Sequence, residues 1–245
     1  MLKIGFFGSC QLHLCDKFFL NQSIKQQFNI IVEFSLPFYE YDKNYINNCR
    51  ILDYKIFDNL DILIIELNNL DNDNQASSSK IITYCKEKNI KIIKTFLIKF
   101  PIYPINWSGY GINKQDIKTY TNLNNIDYKK KFNACIESCR KSNIESDLST
   151  DITDFIYNNF DKQLLFTHSL HPTNVLLYQL WKNILTHLSI NIENYKYNFG
   201  NELINCWYNP FTSKMVKDLD IKFNTIVNDD FYVKMYNDNF NKFDN

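Results

Sequence analysis

One run of apolar residues constrains the fold of this chain more than any other feature. The segment Asp61–Leu67 places apolar side chains on both alternating faces of an extended backbone. Nearly continuous apolar strands occur in parallel sheets that are covered on both faces, whereas half-exposed strands alternate with polar residues. We therefore predict a buried parallel strand over residues 61–67.

Three more runs of strand length accompany this segment, and patterns with helical spacing separate them. This alternation predicts a doubly wound α/β fold, with a mainly parallel sheet and helices on both faces. Ligands of such sheets bind at the carboxyl ends of the strands, near a topological switch point. The further predicted strands are Lys3–Phe7, Asn29–Phe34 and Lys91–Ile98, and the predicted helices are Leu12–Phe28, about Lys43–Ile51 and a segment that ends near Lys88.

The second half of the chain predicts helices around one short strand. We see no internal repeat and no interdomain linker, so we predict a single domain over residues 1–245. Residues 191–245 form its less regular C-terminal extension. The expected helices are Asp127–Lys141, Ser149–Phe160 and a segment from Pro172 through Leu185, and the expected strands are Gln163–Thr167 and, in the extension, Lys222–Val227.

Charge and cysteine usage exclude several classes of protein. Lys and Arg together number 27 and Asp and Glu together number 27, so no global basic field favours nucleic acid. The seven cysteines have no regular spacing, which argues against a disulfide framework. No stretch approaches the roughly 18 apolar residues that span a bilayer, and the first apolar run is too short for a signal peptide. We expect a reduced, cytoplasmic protein without a membrane span.

The turn after the first strand places a nucleophile at the start of a helix. Gly8 permits a sharp turn, and Cys10 then lies at the helix N-terminus. The N–H groups and the dipole of a helix N-terminus favour an anion there, which biases a cysteine towards thiolate and a carbonyl oxygen towards oxyanion. The order of strand, turn, nucleophile and helix is that of a nucleophile elbow, without the G-x-S-x-G spacing. The alternative is a buried structural cysteine.

Two further segments bring polar or aromatic groups to the same edge of the predicted sheet. Asn68 and Asn69 follow the central strand at its carboxyl end. The loop from Lys99 to Gly111 contains Trp107 and Tyr110 and is too long and too aromatic for a plain connector. Its aromatic faces either cover an adenine or sugar ring, or close one end of the sheet.

Histidine supplies the candidate base. Two of the four histidines, His168 and His171, flank a predicted strand–helix turn. Imidazole has a pKa near neutrality, so His171 is a candidate general base for a thiol, hydroxyl or amine, with His168 orienting it. His13 can face the same cavity from the first helical turn. A structural role for the pair is the alternative, and we predict no metal site because these ligands lack a standard spacing.

Three short motifs, in the same order, resemble those of the polysaccharide biosynthesis enzyme WcbI family. Gly8-Ser9-Cys10-Gln11 resembles the Gly-Asn-Cys-Gln signature of that family, with serine in place of its asparagine. The segment from Phe100 to Tyr110 and the turn His171-Pro172-Thr173-Asn174 resemble its later blocks. The resemblance covers about residues 1–190.

The family is similar in fold to SGNH hydrolases, which implies an SGNH- or flavodoxin-like three-layer sandwich. By this resemblance Cys10 stands where the hydrolase serine lies and His171 where the histidine lies. His168 stands where the acid would be, so no carboxylate orients His171. Asn68 or Asn69 matches the asparagine of the oxyanion hole.

The resemblance also implies coenzyme A binding and acetyl transfer from acetyl-coenzyme A to a sugar, such as a nucleotide-activated amino sugar. Either the acceptor attacks the thioester directly or Cys10 carries the acetyl group first. The alternatives are a cysteine-based esterase or deacetylase and a non-catalytic module that binds coenzyme A or a glycan; a homo-oligomer is compatible with each. The expected cofactor contacts are Gly8, Ser9, Gln11, Lys99 and Tyr110, the expected substrate contacts are His13, Asn68, Asn69 and Trp107, and the candidate cations for the 3′-phosphate are Lys94, Lys99, Arg50 and Arg140.

Overall fold

The computed structural model describes residues 1–13, 22–43, 46–104, 125–148, 152–191, 208–232 and 234. The chain divides into two compact units, and each of them is built from three separate segments. The first unit comprises Met1–Leu97, Lys141–Ile152 and Leu177–Ile204, and the second comprises Ile98–Arg140, Thr153–Leu176 and Asn205–Asn245.

A four-stranded parallel sheet forms the first unit. Its strands are β1 (Leu2–Gly8), β2 (Ile30–Pro37), β3 (Ile62–Leu67) and β4 (Lys91–Phe96), in the order β2-β1-β3-β4. The chain runs outwards from β1 to β2 and then returns past β1 to β3, so the strand order reverses between β1 and β3. This is the flavodoxin-like arrangement, in which ligands bind at the carboxyl ends of the strands beside that reversal.

One face of the sheet packs on a helix. Phe7 and Ile65, which are partners in the β1–β3 register, point to this face and are fully buried. Helix α2 (Ser78–Glu87) covers them with Ile81 and Cys85, which belong to the same apolar cluster. Helix α1 (Gln22–Gln27) lies between β1 and β2 in the chain and contacts β2.

The opposite face packs on a second helix, α5 (Asn174–His187). The neighbouring residue of β1, Phe6, points to this face because successive side chains of a strand alternate. Its ring lies 5.8 Å from the ring of Trp181, and both side chains are fully buried. Helices on both faces of a parallel sheet confirm the predicted doubly wound α/β fold.

The predicted helix over about residues 43–51 is wrong for the part of it that the structure describes. Instead, short 3₁₀ helices form at Phe38–Glu40 and Tyr54–Phe57. The intervening backbone is held by a hydrogen bond from Arg50 N–H to the carbonyl of Glu40 at 2.9 Å and by the side chain of Gln75. Its amide accepts a hydrogen bond from Leu52 N–H at 2.8 Å and donates one to the carbonyl of Arg50 at 2.6 Å. These bonds replace the i→i+4 ladder that a helix would have supplied.

The second unit has an aromatic core. The rings of Phe100 and Phe166 stack 4.9 Å apart with an angle of 9° between their planes, and Phe160 packs against Phe100 at 5.3 Å. Of the two roles predicted for the long aromatic loop, the described residues 99–104 show the structural one, since Phe100 and Tyr103 are fully buried. Trp107 and Tyr110 lie outside the described residues.

Two helices of the second unit match predicted ones closely, and a third, Ser213–Asp218, was not predicted. Its elements are α3 (Tyr128–Ile144, up to Arg140 in this unit), α4 (Ile152–Asn159), the strands β5 (Phe166–His168) and β6 (His171–Pro172), and α6 (Ser213–Asp218). The strand expected over Lys222–Val227 is reduced to a single bridge between Phe211 and Val227, and Lys222 instead forms an ion pair with Asp161 at 2.7 Å. No helix among the described residues is long and apolar enough to cross a membrane.

Candidate functional site

The turn that contains Cys10 has the predicted order of strand, turn and helix. β1 ends at Gly8, Ser9 forms the bend, and the backbone is helical from Cys10 to the last described residue of this segment, His13. The first helical hydrogen bond runs from His13 N–H to the carbonyl of Ser9 at 3.0 Å. The Ser9 hydroxyl accepts a hydrogen bond from Gln11 N–H at 3.2 Å, so Ser9 is the N-cap of this helical turn.

A buried carboxylate, Glu66, lies beneath this turn. One of its oxygens, Oε2, accepts hydrogen bonds from the Ser9 hydroxyl at 2.7 Å and from Ser9 N–H at 3.3 Å. Only 2% of the residue is exposed. Burial raises the pKa of Glu66 from 4.5 to about 7, although the two hydrogen bonds from Ser9 oppose that rise. The charge of Glu66 therefore changes near neutral pH.

Gly8 is required where the turn crosses Glu66. A Cβ atom on Gly8 would lie 2.9 Å from the Cβ of Glu66 and 2.9 Å from the Cβ of Leu12. These two Cβ atoms are attached directly to backbone and cannot move aside cheaply. The glycine of the predicted motif therefore lets the helical turn pack directly on β3.

Cys10 differs from most of the other cysteines that the structure describes. Cys10 and Cys49 are half-buried, whereas Cys85, Cys135 and Cys139 are buried. Burial raises the pKa of Cys85 to about 12 and that of Cys135 to about 11, so these thiols are unreactive at neutral pH. Half-burial at the start of a helix gives Cys10 the accessibility that a nucleophile or a ligand contact requires.

Tyr39 is a neighbour of Cys10 that sequence reasoning missed. It lies in the 3₁₀ helix that follows β2. Burial raises the pKa of the Tyr39 hydroxyl, and the proximity of Cys10 raises it further. Tyr39 is consequently a neutral hydroxyl at physiological pH, which is able to donate a hydrogen bond beside the thiol.

Two predicted binding residues on the same helical turn, Gln11 and His13, already make hydrogen bonds within the first unit. Gln11 is fully buried, and its N–H already donates to Ser9, so in this arrangement that amide does not face a ligand. The ring of His13 contacts β2 through Nδ1, which lies 2.9 Å from the carbonyl and 3.1 Å from the hydroxyl of Ser35.

Asn68 likewise has a structural set of partners. Its side-chain amide donates to the carbonyl of Ala76 at 2.9 Å, and its oxygen accepts from Ser78 N–H at 3.0 Å. Asn68 thereby ties the carboxyl end of β3 to the first turn of α2, which argues for a structural role rather than for an oxyanion contact. Asn69, which follows it, is exposed.

The two predicted histidines lie together in the second unit, on a two-residue turn. His168 ends β5 and His171 begins β6, and the two residues are partners in this antiparallel pair. Their rings lie 4.0 Å apart. Pro172 lies in β6, and helix α5 begins two residues later, at Asn174, rather than at the proline.

Both imidazoles are neutral at physiological pH. Burial, followed by the proximity of His171, lowers the pKa of His168 to about 4, and burial lowers the pKa of His171. His168 Nδ1 accepts a hydrogen bond from Leu170 N–H at 3.3 Å, which leaves the proton of the neutral ring on Nε2. A neutral imidazole is in the state that can accept a proton, so His171 suits the predicted role of base.

The aromatic core fixes the turn that carries the histidines. Tyr103 donates its hydroxyl hydrogen to the carbonyl of Phe166 at 2.7 Å, and Phe100 N–H donates to the carbonyl of Ser169 at 2.7 Å. On the other side, Thr173 N–H donates to the carbonyl of Leu165 at 2.8 Å. The predicted aromatic segment and the predicted histidine turn are therefore one structural assembly.

The candidate cations differ in their partners. Lys94 pairs with Asp147 at 3.0 Å, Arg50 pairs with Glu40, and Arg140 pairs with Glu137. Lys99 is exposed and makes no ion pair with any described carboxylate. Among the candidate cations, Lys99 is therefore the one that no described carboxylate neutralises.

The structure assigns the candidate residues to the two units as separate groups. Cys10 and Glu66 belong to the first unit, and His168 and His171 belong to the second. In the part of the chain that the structure describes, no group of three or more His, Cys, Asp or Glu side chains is placed to hold a metal ion.

Comparison with known proteins finds similarity in structure only. No family model and no curated protein sequence matches the chain. Its fold is similar to that of WcbI, a novel polysaccharide biosynthesis enzyme, in a structure of the native protein without a disulfide bond between coenzyme A and a cysteine of that enzyme. The TM-score is 0.60 at 14% sequence identity, over 83% of this chain and 75% of the WcbI chain. This similarity confirms, for the fold, the resemblance that the motifs predicted.

Proposed function

We propose that this protein is an acetyltransferase that uses acetyl-coenzyme A to acetylate a sugar in polysaccharide or glycan biosynthesis. The acceptor that we favour is a nucleotide-activated amino sugar, acetylated on nitrogen. The chain shares its fold with WcbI, a polysaccharide biosynthesis enzyme, which supports the assignment to that class of pathway. The WcbI structure is described with respect to coenzyme A, which supports coenzyme A as the cofactor.

The observation that carries the proposal is the turn around Cys10. It presents a half-buried thiol at the first position of a helix, at the carboxyl end of β1 and beside the reversal of strand order. Ligands of flavodoxin-like sheets bind at this place, and the helix N-terminus favours the negative charge that develops on a thioester carbonyl during acyl transfer. Tyr39 adds a neutral hydroxyl next to the thiol.

We assign the base to His171 because of its protonation state. In direct transfer, the acceptor nitrogen or oxygen forms a bond to the acetyl carbon, and the bond from that carbon to the coenzyme A sulfur breaks. The base takes the proton that the acceptor loses, and the coenzyme A thiolate leaves and is then protonated. A neutral imidazole at pH 7 is ready to accept this proton, and burial keeps His171 neutral.

A route through Cys10 uses the same residues in two steps. The Cys10 sulfur takes the acetyl group and releases coenzyme A, and the acceptor then removes the acetyl group from Cys10. Mass spectrometry of the enzyme after incubation with acetyl-coenzyme A alone separates the two routes, because only the second acetylates Cys10.

We assign the 3′-phosphate of coenzyme A to Lys99, since the other three candidate cations already pair with carboxylates.

Thermal-shift titration tests the cofactor assignment. Coenzyme A and acetyl-coenzyme A should raise the Tm of the wild type saturably, since a ligand that binds the folded state stabilises it by mass action. Cys10→Ala should weaken this response. Cys49→Ala is the matched control, because Cys49 is also half-buried in the first unit, and it should respond like the wild type. Absence of any shift at millimolar ligand would reject the cofactor assignment.

A second assay separates the proposed reaction from its alternatives. Consumption of acetyl-coenzyme A that requires a sugar acceptor, and that is lost in His171→Asn, supports the transferase. Release of acetate from an ester without coenzyme A would identify an esterase or deacetylase instead. Tight coenzyme A binding that survives His171→Asn, with no turnover on any acceptor, would identify a binding module.

A further inference from the structure

We propose that Glu66 is a positioning residue for Cys10: through Ser9 it holds the start of the helix in one arrangement, and its negative charge opposes formation of the Cys10 thiolate. Glu66 does not belong to any motif that pointed to the function. The inference deepens the proposed function, because it concerns the same turn, and it rests on Cys10 being the functional thiol.

The positioning argument follows from the direction of the hydrogen bonds. A carboxylate oxygen only accepts, so the Ser9 hydroxyl must donate its single hydrogen to Glu66. The lone pairs of that hydroxyl then face the helix, where one of them accepts from Gln11 N–H. Glu66 thereby fixes the rotation of the hydroxyl, and the hydroxyl fixes the first turn. Cys10 lies between the two residues that this relay joins.

The electrostatic argument follows from burial and from the absence of a counter-charge. Burial is the largest cause of the raised pKa of Glu66, and within the described residues no cation lowers it. Cys10 directly follows Ser9, whose N–H and hydroxyl both bind the carboxylate. A negative charge held against this turn in a poorly solvated place disfavours a second negative charge on the next residue, so the ionised carboxylate favours the protonated thiol.

The described side chains around the turn are a hydroxyl, an imidazole and a phenol, and none of them forms an ion pair with Glu66. On the neighbouring strand, Thr95 is the register partner of Glu66 and is uncharged. On the helical turn, the His13 ring contacts Ser35. From the 3₁₀ helix, Tyr39 is a neutral phenol. Glu66 is the carboxyl group of this set, and its charge changes near neutral pH.

Thr95 provides a polar neighbour for the protonated form of the Glu66 carboxyl group. Thr95 is buried, and in the described part of the chain its Oγ1 has no hydrogen-bond partner. Its register places it beside Glu66 on the same face of the sheet, about 4.8 Å away across the strands. A protonated carboxyl group gains a donor, and the Thr95 hydroxyl is an acceptor on that side. Both protonation states of Glu66 thus have a polar neighbour.

Alkylation of Cys10 by iodoacetamide tests the electrostatic part without coenzyme A or acceptor. In this reaction the thiolate sulfur bonds to carbon and iodide leaves, so the rate follows the thiolate fraction. Glu66→Gln keeps an acceptor for Ser9 and removes the charge. We expect its pH–rate profile at Cys10, followed by peptide mass mapping, to move about one pH unit lower where Glu66 is ionised in the wild type, which is about tenfold in rate at pH 8.5. The profile of Cys49 in the same samples is the internal control and should not move.

Hydrogen exchange at the Gln11 amide tests the positioning part. This amide should be protected in the wild type and in Glu66→Gln, and it should exchange faster in Glu66→Ala and in Ser9→Ala, which break the relay from opposite ends. If Glu66→Ala does not fold, the alkylation profile of Cys10 in Glu66→Gln decides, because Ser9→Ala removes the acceptor of the Gln11 amide directly. Superimposable Cys10 profiles for the wild type and Glu66→Gln, or full protection of Gln11 in the relay variants, would overturn the inference. Failure of coenzyme A to bind would leave both readouts intact, so the two proposals fail separately.

Discussion

Replacing the buried carboxyl group of Glu66 by an amide should change how the stability of the protein depends on pH. The folded-state pKa is about 7, against an ordinary value of 4.5, and the cause is burial. The unfolded chain therefore releases this proton at a lower pH than the folded chain does. Below about pH 4.5 both states hold the proton, and as the pH rises from there to about 7 the folded state loses relative stability.

The size of the effect follows from the two pKa values. At about 1.36 kcal/mol per pKa unit, the difference corresponds to about 3 kcal/mol of unfolding free energy, of which about 2.5 kcal/mol falls between pH 5 and pH 8.5. The glutamine side chain of the Glu66→Gln variant has nearly the same shape, still accepts from Ser9 and has no charge to bury. The advantage of Glu66→Gln over the wild type should therefore grow by about 2.5 kcal/mol across that interval.

Urea denaturation at pH 5 and at pH 8.5 measures this difference. Glu33→Gln is the matched control, because Glu33 is a glutamate of strand β2 in the same sheet and makes a solvent-exposed ion pair with Lys3 at 3.8 Å. Such surface pairs contribute at most about 1 kcal/mol, so the control should remain close to the wild type at both pH values. If the unfolding free energies of the wild type and Glu66→Gln differ by the same amount at pH 5 and at pH 8.5, burial does not raise the pKa of Glu66 as the prediction requires.

Three other substitutions test the rest of the structure. Gly8→Ala should lower the unfolding free energy by about 1–3 kcal/mol in urea denaturation, because its Cβ would lie 2.9 Å from two neighbouring Cβ atoms, and an unchanged midpoint would contradict the close packing of the turn. Phe100→Ala should cost about 3–5 kcal/mol in the same assay, since the ring is fully buried and stacked, and a loss below about 1 kcal/mol would place the ring outside the core. His171→Asn should raise the pKa of His168 measured by NMR titration, because the proximity of His171 is one cause of its low value, and an unchanged midpoint near pH 4 would show that burial acts alone.

The sheet could be predicted from the sequence because its strands are runs rich in apolar residues, and the run of β3 is nearly continuous. The run at Asp61–Leu67 corresponds to β3 (Ile62–Leu67), and the runs near the N-terminus and after Lys91 correspond to β1 and β4. A strand buried on both faces needs apolar residues at every position, and few other structures of this length do. The predicted helix over 43–51 is wrong for its described part because partners outside the segment, the Glu40 carbonyl and the Gln75 side chain, bind Arg50 instead of helical neighbours. No local pattern encodes such a partner.

Only those residues of the candidate site that belong to a sequence motif could be predicted. The turn at Cys10 has the predicted backbone order, and the histidine pair lies on one turn as expected. Glu66 was missed because a glutamate at the end of an apolar run is normally assigned to the surface, where that residue type is usually found. Gly8 leaves room for the carboxylate. Ser9, which lies fifty-seven residues before Glu66 in the chain, binds it. That relationship exists only in the register between β1 and β3.

Trp181, which covers Phe6 in the first unit, has a consequence for synthesis on the ribosome. All four strands of the sheet have been translated once Phe96 is made, but the indole that packs on Phe6 follows 85 residues later, as the difference between 181 and 96 shows. At about 5–20 residues per second, this part of the nascent sheet stays uncovered for roughly 4–17 s. A newly made chain therefore presents an apolar sheet face to chaperones and to its neighbours on the polysome before its own C-terminal half can shield it.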